Sequence, residues 1–383
     1  MDFEFSEDQE LLRESMRRFL AGRAPIAGYV RPLLEGADNR RPEVWNALAE
    51  LGVVGLLVPE EYGGSATGGS RKGMVDAAVV LEEMGRAVHP SPYVASAIGA
   101  VSLVLGAGSP REHAFLLPGM ASGSVVGTVA LLEPGRRFAV DAPETTAARL
   151  GEGWVLSGTK VHVADAVGSD VVLVTASVGN EPGTAVFAVQ TQSGGVAVEP
   201  VKTVDGTRKH ATITLDGAPG WRLGDGTTDA AEAVSATIDR MAVALVIDGV
   251  GAAARALELA VEYAKERVAF DHPIGSFQAV QHLCADMLRT VELGRAAGYY
   301  ACWAADDADP VEAHRAATMA KAFASEAFPQ LGGSAIQVFG GVGFTWEHDI
   351  HLYYKRLLSL ASTVGTADDA LEELAACVLA QLP

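Results

Sequence analysis

Cysteine is scarce: Cys284, Cys302 and Cys377 are the only three in 383 residues, and they lie far apart without the spacing of a metal site. That scatter excludes a thiolate metal centre and predicts buried free thiols in a chain kept in a reducing cytoplasm. Positive charge is scarce as well, with 29 Lys and Arg against 48 Asp and Glu and a formal net charge of −19. No basic tract offsets phosphate repulsion, so nucleic acid is excluded as a partner, and any anionic ligand must be held by a local cluster. Long apolar runs are missing too. The best candidate begins at Met241, and Asp248 interrupts it well short of the roughly 20 residues that a membrane span needs. The opening MDFEFSEDQE is acidic and has no charged-then-apolar leader pattern, which implies no secretion and a cytoplasmic protein.

What is present is apolar mass. Hydrophobic residues make up 49% of the chain and charged residues 20%, enough to bury a sizeable core in two or three domains. From Ser6 to about Gly106 the periodicity is helical, with Ser6 as N-cap and Gln9 three residues on. PEEYGGSATGGS at 59–70 is rich in glycine but lacks the Lys-Ser/Thr pair of a phosphate loop. From about Ser124 to Leu223 the pattern changes to short β-rich runs such as GWVLSGTKVHV, DVVLVTASV and HATITL, separated by Gly, Pro, Asn and Asp. Long Ala- and Leu-rich helices follow, and their natural consequence is close helix packing. The expected organisation is mainly α with a central β-domain: an N-terminal helical domain at 1–121, a β-domain at 122–227 and a C-terminal helical bundle at 228–383.

Within the last part, RVAFDHPIGSFQAVQH at 267–282 concentrates unusual features. Pro273 fixes φ, Gly275 permits a tight turn, and Ser276 is a good N-cap for a helix opening FQAVQH. On that helix Phe277 and Gln281 share one face and Gln278 and His282 another, while Arg267 falls near the end of the preceding helix. Two readings fit these residues. One is a helix hairpin with an ordinary surface arginine; the other is a fork-shaped donor set beside planar amides for a phosphate-bearing ligand.

The order of helices, a small β-barrel-like middle and a helical bundle, together with ERVAFDHPIGSFQAVQH and IQVFGGVGFTWEHDIHLYYKR, resembles the acyl-CoA dehydrogenase family over nearly the whole chain. LGVVGLLVPEEYGG near the start is an independent match. The resemblance implies FAD lying between two protomers. Arg267 would reach its pyrophosphate, and Phe270, Ile274, Phe277 and Gln278, with Gln281 on the same helix, would line the adenosine portion. Gln337, Gly340 and Gly341 match the segment that approaches the same cofactor, where missing side chains let backbone come close. Without the flanking motif these glycines would read as a helix end packed on a neighbour. The implied reaction takes the α-proton of an acyl-CoA thioester onto a glutamate while the β-hydrogen leaves as hydride to the flavin, with an electron-acceptor flavoprotein downstream.

The sequence departs from the family where the chemistry is done. The common base precedes a Gly-Thr pair, and in LASTVGTADDA that position is Val364. A second group of members carries its base on the helix leading to the arginine motif, and that position is Met241; Asp239 and Arg240 are off register. Leu132 stands in LLEPGRRFAVD where the family has threonine, and His162 and Ala164 stand in VHVAD where the family packs Trp-Ile-Thr against the flavin ring. In the family these lost groups come from the protomer on one side of a given FAD, and the retained arginine segment comes from its neighbour. The pattern resembles one kind of subunit in the actinobacterial heterotetrameric acyl-CoA dehydrogenases that shorten steroid side chains. Asp271, where ordinary members have glycine, and TWEHDIHLYYKR share that likeness.

The leading expectation is therefore an acyl-CoA dehydrogenase subunit whose base comes from a partner chain and whose thioester is bulky and steroid-derived. Two alternatives stand beside it: a self-sufficient homo-oligomer with an unassigned base, and a flavin-free scaffold that assembles with a catalytic relative. Val364 speaks against the first alternative, and Arg267 with Gln337 against the second.

Overall fold

Ser6 starts the first helix, α1 (Glu7–Arg23), through the reciprocal capping box that its spacing from Gln9 predicts. The computed structural model describes residues 5–39, 42–66, 73–136, 142–179, 181–226 and 229–379. Short helices α2 (Arg31–Leu33) and α3 (Pro42–Glu50) lead to a 3-10 turn at Glu60–Tyr62, closed by Gly63 at φ 85°. Residues 67–70, the rest of the glycine-rich stretch, lie outside the described residues. Helices α4 (Met74–Arg86), α5 (Val101–Ala107) and α6 (Pro110–Ala121) follow. The last opens on a second capping box, Ser109 with Glu112, with Pro110 at a position that needs no N–H.

Seven strands come next: β1 (Gly127–Ala130), β2 (Thr146–Leu150), β3 (Gly153–Ala164), β4 (Val171–Val178), β5 (Ala185–Gln190), β6 (Val196–Val201) and β7 (His210–Arg222). Pairings β4–β2, β2–β3, β3–β7, β7–β5 and β5–β4 return to their starting strand, so five strands close into a barrel-like ring, with β1 added beside β4 and β6 beside β7. Its core is filled by Leu156, Val163, Val172, Val174, Phe187, Val189, Ile213 and Leu215. Closure pairs the five ring strands on both sides, which leaves edges only at β1 and β6 for runs this rich in valine to expose.

The remaining chain is helical apart from a two-stranded hairpin, β8 (Val268–Ala269) with β9 (His272–Pro273). The helices are α7 (Ala231–Glu266), α8 (Gln278–Asp307), α9 (Pro310–Phe339), α10 (Ile350–Leu360) and α11 (Ala367–Leu379). The alanine and glycine content has the predicted effect on packing. A Cβ on Gly85 of α4 would lie 1.9 Å from the carbonyl oxygen of Asp248, and one on Gly251 of α7 would lie 1.9 Å from that of Glu82, so α4 and α7 touch backbone to backbone. Among the described residues no helix is long and apolar enough to cross a membrane. Asp248, which interrupts the longest apolar run, is buried and receives two hydrogen bonds of 2.9 and 3.0 Å from Arg356 of α10.

By contact the chain forms two compact units, Met1–Pro32 with Ala78–His89 and Ala242–Pro383, and Leu33–Ala77 with Pro90–Met241. The thiols require a correction, since only Cys302 is buried; Cys284 and Cys377 are half-exposed. Cys284 lies in the exposed opening turns of α8 and Cys377 near the end of α11, where few neighbours cover a side chain.

Candidate cofactor half-site

Arg267 stands one residue past the end of α7. Its N–H still bonds the Tyr263 carbonyl at 2.8 Å, and its own carbonyl accepts the Ile274 N–H at 2.8 Å, so its backbone is held from both sides. The side chain is exposed, and among the described residues its guanidinium has neither a hydrogen-bond acceptor nor an acidic partner. Glu262, one turn earlier, pairs with Arg255 instead at 3.3 Å. Its guanidinium therefore leaves a fork of N–H donors open to solvent at this end of α7.

The segment beyond Arg267 holds one turn more than the sequence predicts. A tight turn falls at Phe270 and Asp271, the two loop residues of the β8–β9 hairpin, at φ 54° and 64°, ahead of the expected one, which forms as a 3-10 turn at Ile274–Ser276. Two central residues with positive φ give the twist that a two-residue hairpin needs; aspartate tolerates that region, but phenylalanine does so at a cost. Gly275 serves a close approach: a Cβ there would lie 3.0 Å from the Ala264 carbonyl oxygen. Ser276 is not the N-cap of α8. Phe277 occupies that position, and the Ser276 hydroxyl donates to the Pro273 carbonyl at 2.7 Å, tightening the loop. Phe277 therefore sits just before the helix whose face it was expected to share with Gln281.

Phe270 is 87% exposed and meets Phe277 edge-on at 6.2 Å between ring centroids. Ile274 is half-buried and Gln278 exposed. The Gln281 amide donates to the Gly275 carbonyl at 2.9 Å, so this residue braces the loop from within.

The second segment ends α9. Gln337 is exposed on its last turn, and Gly340 terminates it at φ 63° and ψ −141°, a conformation that essentially only glycine adopts. A Cβ on Gly340 or on Gly341 would meet nothing within 4 Å, so both glycines face open space and not a packed neighbour. An aromatic contact joins the two segments: Tyr263, one turn before Arg267, stacks on Phe339 at 4.4 Å and 24°. Unpaired guanidinium, exposed amides and an open glycine cradle suit the pyrophosphate and adenosine end of a flavin dinucleotide. The sequence reading missed Tyr263 and Phe339, whose aromatic character and position one turn from each motif were the available signal.

The positions of the other half-site hold no base. Val364 sits at φ 59°, strained for a β-branched residue, and Gly365 follows at φ 92°. Met241 is buried against Gly99, whose Cβ would lie 2.9 Å from the Met241 sulfur. Asp239 and Arg240 both have partners elsewhere. Leu132 is half-buried, its carbonyl accepting the Val161 N–H at 2.9 Å; residues 137–141 of its motif lie outside the described residues. Glu133 beside it is buried and bonded to Lys160 Nζ at 2.8 Å and to the N–H groups of Glu144 and Thr145 at 2.7 and 2.8 Å. Burial alone would raise its pKa, but those donors outweigh burial and hold it at about 2, too weak a base for a thioester α-proton.

His162 lies in a bulge of β3 at φ 53°, exposed, with its ring 6.4 Å from that of His210, and Ala164 is half-buried opposite His210. Burial first, then the charges of His162 and Arg208, push the His210 pKa down to about 4, so that ring is neutral. Near this segment burial also raises the pKa of Asp165, to about 7. It is shut in, however, 7% exposed and receiving the Asn39 amide at 3.1 Å.

Three family models match in succession. They are the acyl-CoA dehydrogenase N-terminal domain over residues 6–124, the middle domain over 128–217 and the C-terminal domain over 230–379. Acyl-CoA dehydrogenase IpdE2 of Mycolicibacterium smegmatis is 32% identical over 373 residues, 97% of this chain and 99% of that protein. Among solved structures, a variant of the Tcur3481–Tcur3483 steroid ACAD superposes with a TM-score of 0.87 at 31% identity, covering 98% of both chains. The ChsE4–ChsE5 complex from Mycobacterium tuberculosis superposes with a TM-score of 0.86 at 27% identity, covering 100% of both chains. The chain belongs to the acyl-CoA dehydrogenase family, oxidoreductases that act on the CH–CH bond of acyl-CoA thioesters.

Proposed function

We propose that this chain is the cofactor-lending subunit of a FAD-dependent acyl-CoA dehydrogenase, with the α-proton base supplied by a partner chain. The observation that carries this reading is the asymmetry between two sets of residues. Among the described residues Arg267, with Gln337, Gly340 and Gly341, stands open and without a side-chain partner, while Val364 and Met241 occupy both positions where the family carries its base. Arg267 would hold the pyrophosphate through two parallel charge-assisted bonds, Gln278 and Gln337 would offer amides, and Phe270, Ile274 and Phe277 would cover the adenosine. Gln281 keeps the loop in shape. FAD, when bound, supplies the hydride acceptor. The carboxylate that takes the α-proton must come from elsewhere, because Val364 has no group that can accept one.

The relatives support this reading by name: one solved neighbour is a steroid ACAD carrying two designations, and another is a complex of two differently named chains. A bulky, steroid-derived CoA thioester and an electron-transferring flavoprotein complete the assignment. The three-domain division at 121/122 and 227/228 and a cytoplasmic location go with it.

The test is the visible spectrum and turnover of the chain purified alone and with a related subunit. Alone, it should carry less than stoichiometric flavin and show little acyl-CoA oxidation with an artificial acceptor, and Val364→Glu should not rescue it, since Leu132, His162 and Ala164 remain. Stoichiometric flavin and robust turnover without a partner would overturn the proposal in favour of a self-sufficient homo-oligomer.

A further inference from the structure

The FTWEHD stretch, residues 344–349, follows the glycine cradle immediately, yet none of its side chains has a role in the half-site described above. Its contacts give it one. Asp349 occupies the N-cap position of α10 but makes no capping bond, because its Oδ1 accepts two hydrogen bonds from Arg31 at 2.9 and 2.7 Å. Arg31 also donates to the Trp346 carbonyl at 2.9 Å. The first N–H of α10, that of Ile350, therefore needs another acceptor, and it donates to His348 Nδ1 at 3.0 Å. This bond fixes the imidazole as the neutral tautomer with its proton on Nε2. The same ring lies against Phe339 at 4.3 Å, and Phe339 stacks in turn on Tyr263 at 4.4 Å. Phe339 is the residue from which Gly340 and Gly341 leave α9, and Tyr263 is one turn before Arg267.

We propose that His348 is a positioning residue for the cofactor half-site: its neutral ring caps α10 at Ile350 and props Phe339, and protonation of that ring releases the Gln337–Gly341 turn. This inference rests on the proposed half-site for its consequence but not for its geometry. A proton on Nδ1 removes the acceptor of Ile350 and places a positive charge at a helix N-terminus, where the dipole opposes it. The charged and titratable groups facing the ring are Asp349, which favours the imidazolium, and Arg255, Arg31 and His351, which oppose it. Burial acts in the same direction as the arginines and is the largest influence, so the ring is neutral at pH 7 and takes a proton only below the ordinary histidine range.

The test is hydrogen exchange of the full-length chain, corrected for the intrinsic pH dependence of exchange, followed from about pH 7.5 to about pH 5. Amides of residues 340–345 and of Ile350 should lose about tenfold in protection across that range, while the core of α9 does not change. His348→Asn keeps an acceptor near the position of Nδ1 without titrating, so its exchange in these amides should be flat with pH. His348→Phe keeps the ring contact but not the cap, and should lose protection at Ile350 at every pH. Equal protection of the native amides at both ends of the range, or the same fall in His348→Asn, would overturn the proposal. Release of FAD from the assembled enzyme, read by flavin fluorescence, should follow the same pH course in the native chain and not in His348→Asn. If the exchange result holds and no assembly retains flavin, the prop stands and it is the half-site reading that fails.

Discussion

At the scale of single residues, the proposed half-site is tested most directly at Arg267. Its backbone is fixed by Tyr263 and Ile274, so replacing its side chain should leave the fold intact. Arg267→Lys should weaken FAD retention in the assembled enzyme by about 1 to 3 kcal/mol, because an ammonium cannot reproduce two parallel donors on a pyrophosphate. Equilibrium dialysis with flavin absorbance measures the loss, and unchanged flavin content would remove Arg267 from the site. Val364 makes the opposite case, a residue whose replacement should help stability. A β-branched side chain at φ 59° is strained, and Val364→Gly should raise unfolding stability by about 1 kcal/mol in denaturant titration.

At the scale of elements, buried charges lock the helices of the C-terminal bundle. Lys321 of α9 is 3% exposed and donates to the Leu360 carbonyl at 2.6 Å, satisfying the last turn of α10 just before the Val364 loop. Burial pushes its pKa down to about 7, with Asp369 opposing. The folded chain therefore binds fewer protons here than the unfolded chain, whose lysine titrates near 10.5. The resulting penalty is full below about pH 7 and fades as pH rises from 7 toward 10.5. Lys321→Met should flatten that rise in stability, measured by thermal or denaturant unfolding across the range. An unchanged pH profile would mean that the amine keeps its ordinary affinity for protons.

These locks were only partly legible in advance. Asp248 was visible in the sequence as a break in an apolar run, but its partner Arg356 is 108 positions away, and periodicity carries no information about pairing at that distance. Capping was more readable, because Ser6 with Gln9 forms a bond whose partners are three residues apart. The N-cap of α8 falls one residue beyond Ser276, whose hydroxyl donates back to the Pro273 carbonyl within the loop instead of accepting from the N–H groups of the helix.

At the scale of the whole molecule, exposed aromatic side chains in and beside the proposed half-site favour an assembly. Phe270 is 87% exposed, Phe344 73% and Trp346 58%, an apolar display that a free monomer does not favour. The purified chain should sediment as a dimer or larger at micromolar concentration. Added salt should strengthen the association of identical chains, since each carries a net charge of −19. A stable monomer under those conditions would count against a shared cofactor site.

The sequence by itself determined the class of fold, the family and which residue type stands at each motif position. Those depend on periodicity, on short-range spacing and on which residue type stands at a motif position, all of which are local properties of the chain. Arg267 and Val364 were readable for that reason. Only the tertiary structure decided which of the named residues are free to act. It showed the Arg267 guanidinium to be without an acid among the described residues, Gly341 to face open space, Gln281 to be engaged within its own loop, and Glu133 to be held at about 2 by Lys160 and two backbone N–H groups. It also joined the arginine and glycine segments through Tyr263, Phe339 and His348. Availability and stacking depend on distances between groups far apart in the chain, and packing alone sets those distances.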